Sequence, residues 1–169
     1  MPDPVRPEAL AFDAADGVPN HPRWPLLLYR AALDAGADAS ATAERLRRNG
    51  WGGTWTDGVF PYAHYHPNAH EALAVVAGEA TVRFGGSAGR DVTVRAGDVA
   101  VLPAGTGHQR LRASADFLVV GAYPEGQEDF ETRRPDRDRP PPREAMADVP
   151  RPTSDPLYGA GGPLLDHWS

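Results

Sequence analysis

Gly58-Val59-Phe60-Pro61-Tyr62-Ala63-His64-Tyr65-His66-Pro67-Asn68-Ala69-His70-Glu71 gathers three histidines and a glutamate into one short stretch. His64 and His66 are two apart, and on a strand that spacing turns both rings to one face, where they can share one ion. Taken alone, the pair fits equally well as two polar residues on a solvent-facing strand. Pro67-Asn68 can turn the chain and bring Glu71 alongside. His108 follows later, just past Gly105-Thr106-Gly107. Three imidazoles and a carboxylate form a borderline-to-hard donor set, suited to one divalent transition metal: Fe, Mn, Ni, Zn, Co or Cu. Such a set leaves coordination positions open on an ion that prefers five or six ligands.

Outward from this stretch the chain reads as short strands. Expected strands are Val59–His66, His70–Val76, Ala80–Phe84, Asp91–Arg95, Val99–Leu102, His108–Arg112 and Phe117–Tyr123. The separators carry turn chemistry, among them Ala77-Gly78-Glu79, Ala96-Gly97-Asp98 and Pro103-Ala104-Gly105. Strands at this regular interval favour a sandwich or barrel over alternating strands and helices. Eleven of the 18 glycines fall between Gly50 and Gly107, whereas 15 of the 18 prolines lie in residues 1–25 or 124–169. Three parts follow: an N-terminal arm and helix over 1–50, a β domain over 51–124, and a Pro/Arg-rich linker with a C-terminal arm over 125–169. The single helix is expected over Ala39–Asn49, capped by Asp38 or Ser40 and stopped by Gly50.

Composition removes several classes of function. With no cysteine and no lysine among the 169 residues, thiolate sites, a Cys nucleophile, a Schiff-base lysine and a Walker-type loop are excluded. No G-x-S-x-G stretch supports a hydrolase triad. A net charge of -6 with mixed signs along the chain speaks against nucleic acid as a partner. Apolar runs fall far short of a membrane span, and Met1–Leu10 lacks an apolar signal core, so a cytoplasmic location is the expectation.

The residues then show a resemblance. Gly58-x5-His64-x-His66-x4-Glu71-x6-Gly78 is similar to the first cupin motif at every fixed position. Gly97-x5-Pro103-x-Gly105-x2-His108 is similar to the second as far as its histidine, after a spacer of 18 residues. The resemblance covers 58–123 and is to small bacterial single-domain cupins. It implies an all-β fold, a cupin jelly-roll sandwich or barrel, with the short N-terminal helix and extended Pro-rich arms at both ends. It also implies a metal at the open end, held by His64, His66, Glu71 and His108.

Two positions depart from the family pattern. Arg112 stands where the second motif usually has Asn. If strand alternation holds, His108, Arg110 and Arg112 share a face, and a guanidinium near the mouth suits a carboxylate or phosphate. The competing reading is a bent strand with both arginines solvated. His70 precedes Glu71, and alternation turns one of the two away from the metal. Spacing favours Glu71 as the ligand, with His70 either packing outside or supporting the site from behind it. Tyr62 shares parity with His64 and His66 and is a candidate for substrate contact. Trp51, Trp55 and Phe60 read as core first and pocket lining second.

The expected activity is that of a metal-dependent enzyme, an oxygenase or isomerase acting on a small organic acid. The alternative is a non-catalytic cupin that binds a small, anionic ligand or the metal itself. Arg133–Pro142 reads as a solvated extended linker around Pro140-Pro141-Pro142. Beyond it, Leu157, Tyr158, Leu164, Leu165 and Trp168 return enough apolar surface to dock on the protein's own barrel or on a neighbour. The resemblance implies a homodimer.

Overall fold

The computed structural model describes residues 3–169. In chain order its elements are β1 (Glu8–Leu10), β2 (Leu26–Tyr29), α1 (Ala39–Arg48), β3 (Trp51–Asp57), β4 (Glu71–Ala77), β5 (Glu79–Phe84), β6 (Arg90–Arg95), β7 (Val99–Leu102), β8 (His108–Ala113), β9 (Leu118–Pro124), α2 (Arg143–Ala147) and α3 (Leu164–His167). The strands form a six-stranded sheet in the order β1-β2-β7-β4-β9-β3 and a three-stranded sheet in the order β6-β5-β8. All the strand pairs are antiparallel.

The larger sheet is covered on both faces, which explains why Glu71 through Val75 are all buried. Alternation divides its residues. Leu26, Leu28, Leu73, Val75, Ala100, Leu102 and Val119 face the small sheet and meet Val82, Phe84, Val92 and Val94. Leu27, Tyr29, Ala72, Ala74, Val101, Val120 and Ala122 face outward. There they meet Ala43 and Leu46 of α1 together with Leu157, Leu164 and Trp168 of the C-terminal arm. The small sheet has one solvated face, and β5 and β6 alternate buried with open positions accordingly.

The helix starts and stops where the sequence places it. The Asp38 side chain accepts from the Ala41 N–H, and Asn49 closes the last turn. The strand expected at Val59–His66 is absent as a strand. Trp51–Asp57 pairs with β9 instead, and Pro61 and Pro67 leave only isolated bridges, such as His64 to His108, in the segment that follows. The N-terminal part supplies two strands of the larger sheet, although its prolines had suggested an arm without regular structure. Leu26–Tyr29 is a fully apolar run buried on both faces, so it shows no alternation to reveal it.

The C-terminal arm docks on its own barrel. Trp168 is fully buried, and its indole N–H donates to the Pro25 carbonyl at 2.8 Å. Asp155 is likewise buried and accepts from the Tyr29 hydroxyl at 2.5 Å and from the backbone N–H of Leu157, Tyr158 and Leu164. The expected solvated linker starts later than Arg133. Arg133 is bridged to Tyr65 by two backbone hydrogen bonds, whereas Arg137 to Pro140 are exposed.

Candidate metal centre

His64, His66 and His108 are buried and converge, each offering a nitrogen within 4.8 Å of the others. The backbone fixes which nitrogen that is. Nδ1 of His64 donates to the Tyr62 carbonyl at 3.0 Å, Nδ1 of His66 to Glu131 at 2.8 Å, and Nδ1 of His108 to Thr106 at 3.0 Å. A carbonyl can only accept, so the proton sits on Nδ1 and the Nε2 lone pair is left free. A paired backbone exchange between His64 and His108 brings two of these segments together.

Glu71 lies beside two of the three rings, on the inner face of β4. Its Oε2 lies 3.3 Å from His66 Nε2, and its Oε1 lies 3.3 Å from His108 Nε2. Oε2 accepts from the Tyr123 hydroxyl at 2.6 Å. Oε1 is buried and accepts no hydrogen bond among the described residues. Burial pushes the Glu71 carboxyl up, but His66 and His108 outweigh it and hold the group well below the usual carboxylate range. Burial, with His108 beside it, holds His64 down to about 3. Burial also acts against a charge on His66, yet Glu71 and the Glu131 carbonyl together raise it above its ordinary value. Burial and the Glu71 charge push the Tyr123 phenol up, so it keeps its proton. Three convergent imidazole lone pairs, with a buried carboxylate beside two of them, are a donor set that fits a divalent transition ion.

The cluster lies at the base of a pocket of ≈ 480 Å³, within the range that small-molecule sites occupy. Trp55, Val59, Phe60, Leu73 and Phe130 form its apolar wall, and Arg110 and Thr132 add polar groups. The sequence readings of the aromatics divide here: Trp51 is core, while Trp55 and Phe60 line the pocket. A second, open groove of ≈ 540 Å³ lies near β1 and β6, and its lining includes none of these histidines. It carries both charge signs, and its Arg30 is already paired with Asp98 at 3.0 Å.

Several expected site residues lie elsewhere. Arg112 is turned away from the pocket, and its guanidinium donates to Thr81 Oγ1 at 3.2 Å. The cause is a bulge: Thr81 pairs with Arg112 but Val82 pairs with Arg110, so Leu111 is an extra residue and alternation breaks there. Arg110 keeps the pocket side. Tyr62 is outside the lining as well. It stacks on Phe60 at 4.9 Å between ring centres and carries the Arg134 guanidinium 3.8 Å above its ring. Of the two readings of His70, packing outside holds and support behind Glu71 does not. The ring faces the outer side of the sheet, among Trp24, Trp168 and His21. Its Nδ1 accepts from the Ala104 N–H at 2.8 Å.

The sequence reading also missed a contribution from beyond the β domain. The segment after β9 crosses the mouth: Phe130 stacks on Tyr123 at 4.2 Å and meets the His66 ring edge-on at 5.0 Å. Glu131 supplies the carbonyl that orients His66. Nothing in the spacing of 125–134 announces this; Phe130, a lone aromatic among charged residues, is the only hint.

A two-sheet jelly roll with a histidine cluster at one end of the sandwich defines the class of this protein. It belongs to the cupin superfamily, and residues 55–120 match the cupin domain model. It is 43% identical over 159 residues to the uncharacterized protein YjlB of Bacillus subtilis, covering 93% of this chain and 94% of the relative. Among solved structures it is similar to procruciferin, the 11S globulin of Brassica napus. That likeness has 18% identity and a TM-score of 0.40, and covers 48% of this chain but 21% of the globulin. It is also similar to acireductone dioxygenase from Bacillus anthracis with cadmium ion in its active center. Here the identity is 16% and the TM-score 0.39, over 52% of this chain and 60% of the other. No helix among the described residues is long and apolar enough to cross a membrane.

Proposed function

We propose that this protein is a metal-dependent enzyme of the oxygenase or isomerase type, acting on a small organic acid. His64, His66, Glu71 and His108 would hold one divalent transition metal. The observation that carries the reading is the shared orientation of three Nδ1–H groups toward backbone carbonyls, which frees three convergent Nε2 lone pairs, two of them 3.3 Å from a Glu71 oxygen. When bound, the metal supplies Lewis acidity and open coordination positions. Arg110, on the pocket wall, offers a guanidinium to a carboxylate. Trp55, Val59, Phe60, Leu73 and Phe130 exclude water from the bound molecule. Tyr123 holds a proton at its hydroxyl, directed at Glu71 Oε2. A homodimer in the cytoplasm belongs to the same proposal, and light scattering that returns a monomer removes the dimer.

The test begins with protein purified without oxygen and assayed for metal content. Oxygen uptake and isomer formation are then followed across a panel of small carboxylic acids. The expected result is near-stoichiometric metal and turnover of at least one acid. His66→Ala should lose both while keeping its circular dichroism. Stoichiometric metal retained in His66→Ala sinks the assignment of the site. Tight ligand binding without consumption across the panel favours the non-catalytic module.

A further inference from the structure

Glu71 has two oxygens in different states, and the difference is built by residues outside the ligand set. Oε2 accepts from the Tyr123 hydroxyl at 2.6 Å, while Oε1 accepts nothing. The phenol is in turn fixed by the Trp55 indole N–H, which donates to its oxygen at 2.8 Å. With its oxygen occupied by the indole, the phenol O–H is aimed at Glu71. The indole reaches that position because residue 121, on the neighbouring strand β9, is glycine. A Cβ there would stand 2.2 Å from the Trp55 ring. Phe130 stacks on the other side of the phenol at 4.2 Å. Trp55, Tyr123 and Glu71 therefore form a directed chain, enclosed on both sides.

We propose that Tyr123 is a positioning residue that makes Glu71 a one-oxygen ligand, reserving Oε2 for its own hydroxyl and presenting Oε1 to the metal. This rests on the metal-centre reading above. Losing the hydroxyl frees Oε2, and the carboxylate then turns to share both oxygens with the ion, consuming a coordination position that substrate would use. Partners at this remove set metal affinity by about 10- to 100-fold.

Co(II) alone is the probe, added to the full-length metal-free protein. Titration gives its affinity, and the infrared difference spectrum gives the separation of the two carboxylate stretches, which is wide for one-oxygen and narrow for two-oxygen ligation. Glu71→Gln identifies the band pair, since it should lack it. The wild type should show the wide pair. Tyr123→Phe should show the narrow pair and bind Co(II) about tenfold more weakly. An unchanged band pair in Tyr123→Phe overturns the proposal whatever the affinity does. Should that variant not fold, Trp55→Phe keeps the phenol but loses the N–H that aims it, and should narrow the pair to a smaller extent. Unmoved bands in that folded variant overturn the proposal equally. A wild type that binds no Co(II) is a different failure, since it removes the metal centre itself.

Discussion

The two faces of the larger sheet are built from the same parts, set to opposite ends. Each has buried histidines, and each has a tyrosine donating to a buried carboxylate. On the outer face, Nδ1 of His21 accepts from the Arg23 and Trp24 N–H groups, and Nδ1 of His70 accepts from Ala104. The proton must then sit on Nε2, which is buried and makes no hydrogen bond among the described residues in either ring. On the inner face all three Nδ1 atoms donate and all three Nε2 atoms are free. The carboxylates differ in the same way. Asp155 takes four donors, whereas Glu71 takes one and leaves an oxygen open. Which nitrogen the backbone claims separates a histidine that holds chain together from one that is available to a ligand.

Acid tests both faces and should give the largest effect. Burial holds His21 down to about 4 and His70 and His64 to about 3, against an ordinary 6.5. The unfolded chain takes up protons at these rings as pH falls through 6.5, and the folded chain does not. Each ring therefore removes stability as pH drops toward 4, at up to about 1.4 kcal/mol per pH unit. Glu71, depressed by its histidines, loses its own contribution as pH falls below its ordinary range. His66 alone works the other way, its stability being lost as pH rises through its raised value. Urea unfolding of metal-free protein across this range should show the decline. His21→Gln should shallow it by about 1.4 kcal/mol per pH unit; an equal slope breaks the comparison on the outer face.

Substituting the carboxylates comes next. Asp155→Ala leaves the Tyr29 hydroxyl and buried N–H groups without an acceptor and should cost about 3–5 kcal/mol in urea unfolding. Glu71→Gln keeps an acceptor for Tyr123 but loses the charge that His66 and His108 stabilise, and should cost metal-free protein about 1–3 kcal/mol, less than Asp155→Ala. Equal costs would erase the distinction between a structural and an available carboxylate. The tyrosines sharpen the same point at smaller scale. Tyr29→Phe should lose about 1.5 kcal/mol by thermal or urea unfolding, the worth of a hydrogen bond to a charged group. The Arg112→Ala control, on the solvated side of the bulge, should move stability by no more than about 0.5 kcal/mol.

The sequence made some of this legible. The glycine-bounded motifs bring His64, His66 and His108 into one cluster with Glu71 beside two of the rings, because turn chemistry and strand parity act locally. The opposed directions of His70 and Glu71 follow from alternation along β4 alone. The direction of Arg112 stays open in the sequence because a bulge is an insertion in one strand relative to its partner, and a single strand does not reveal its partner's count. β2 was hidden by burial on both faces, which erases the alternating pattern, and β1 is a three-residue exposed edge strand too short to show one. Tyr123 and Glu131 escaped notice because their roles are hydrogen bonds across 52 and 65 positions of chain, and no local pattern encodes such a partner.

The strap from Phe130 to Arg133 carries a consequence for handling and engineering this protein. One imidazole at the heart of the barrel is steered by a peptide group lying just ahead of an exposed, proline-rich tether. A protease cutting at Arg137 would leave the strap and its grip intact, while a cut a few bonds upstream, at Asp129, would release a ring without touching a single strand. Tags, fusions and circular permutations should therefore open the chain beyond residue 134.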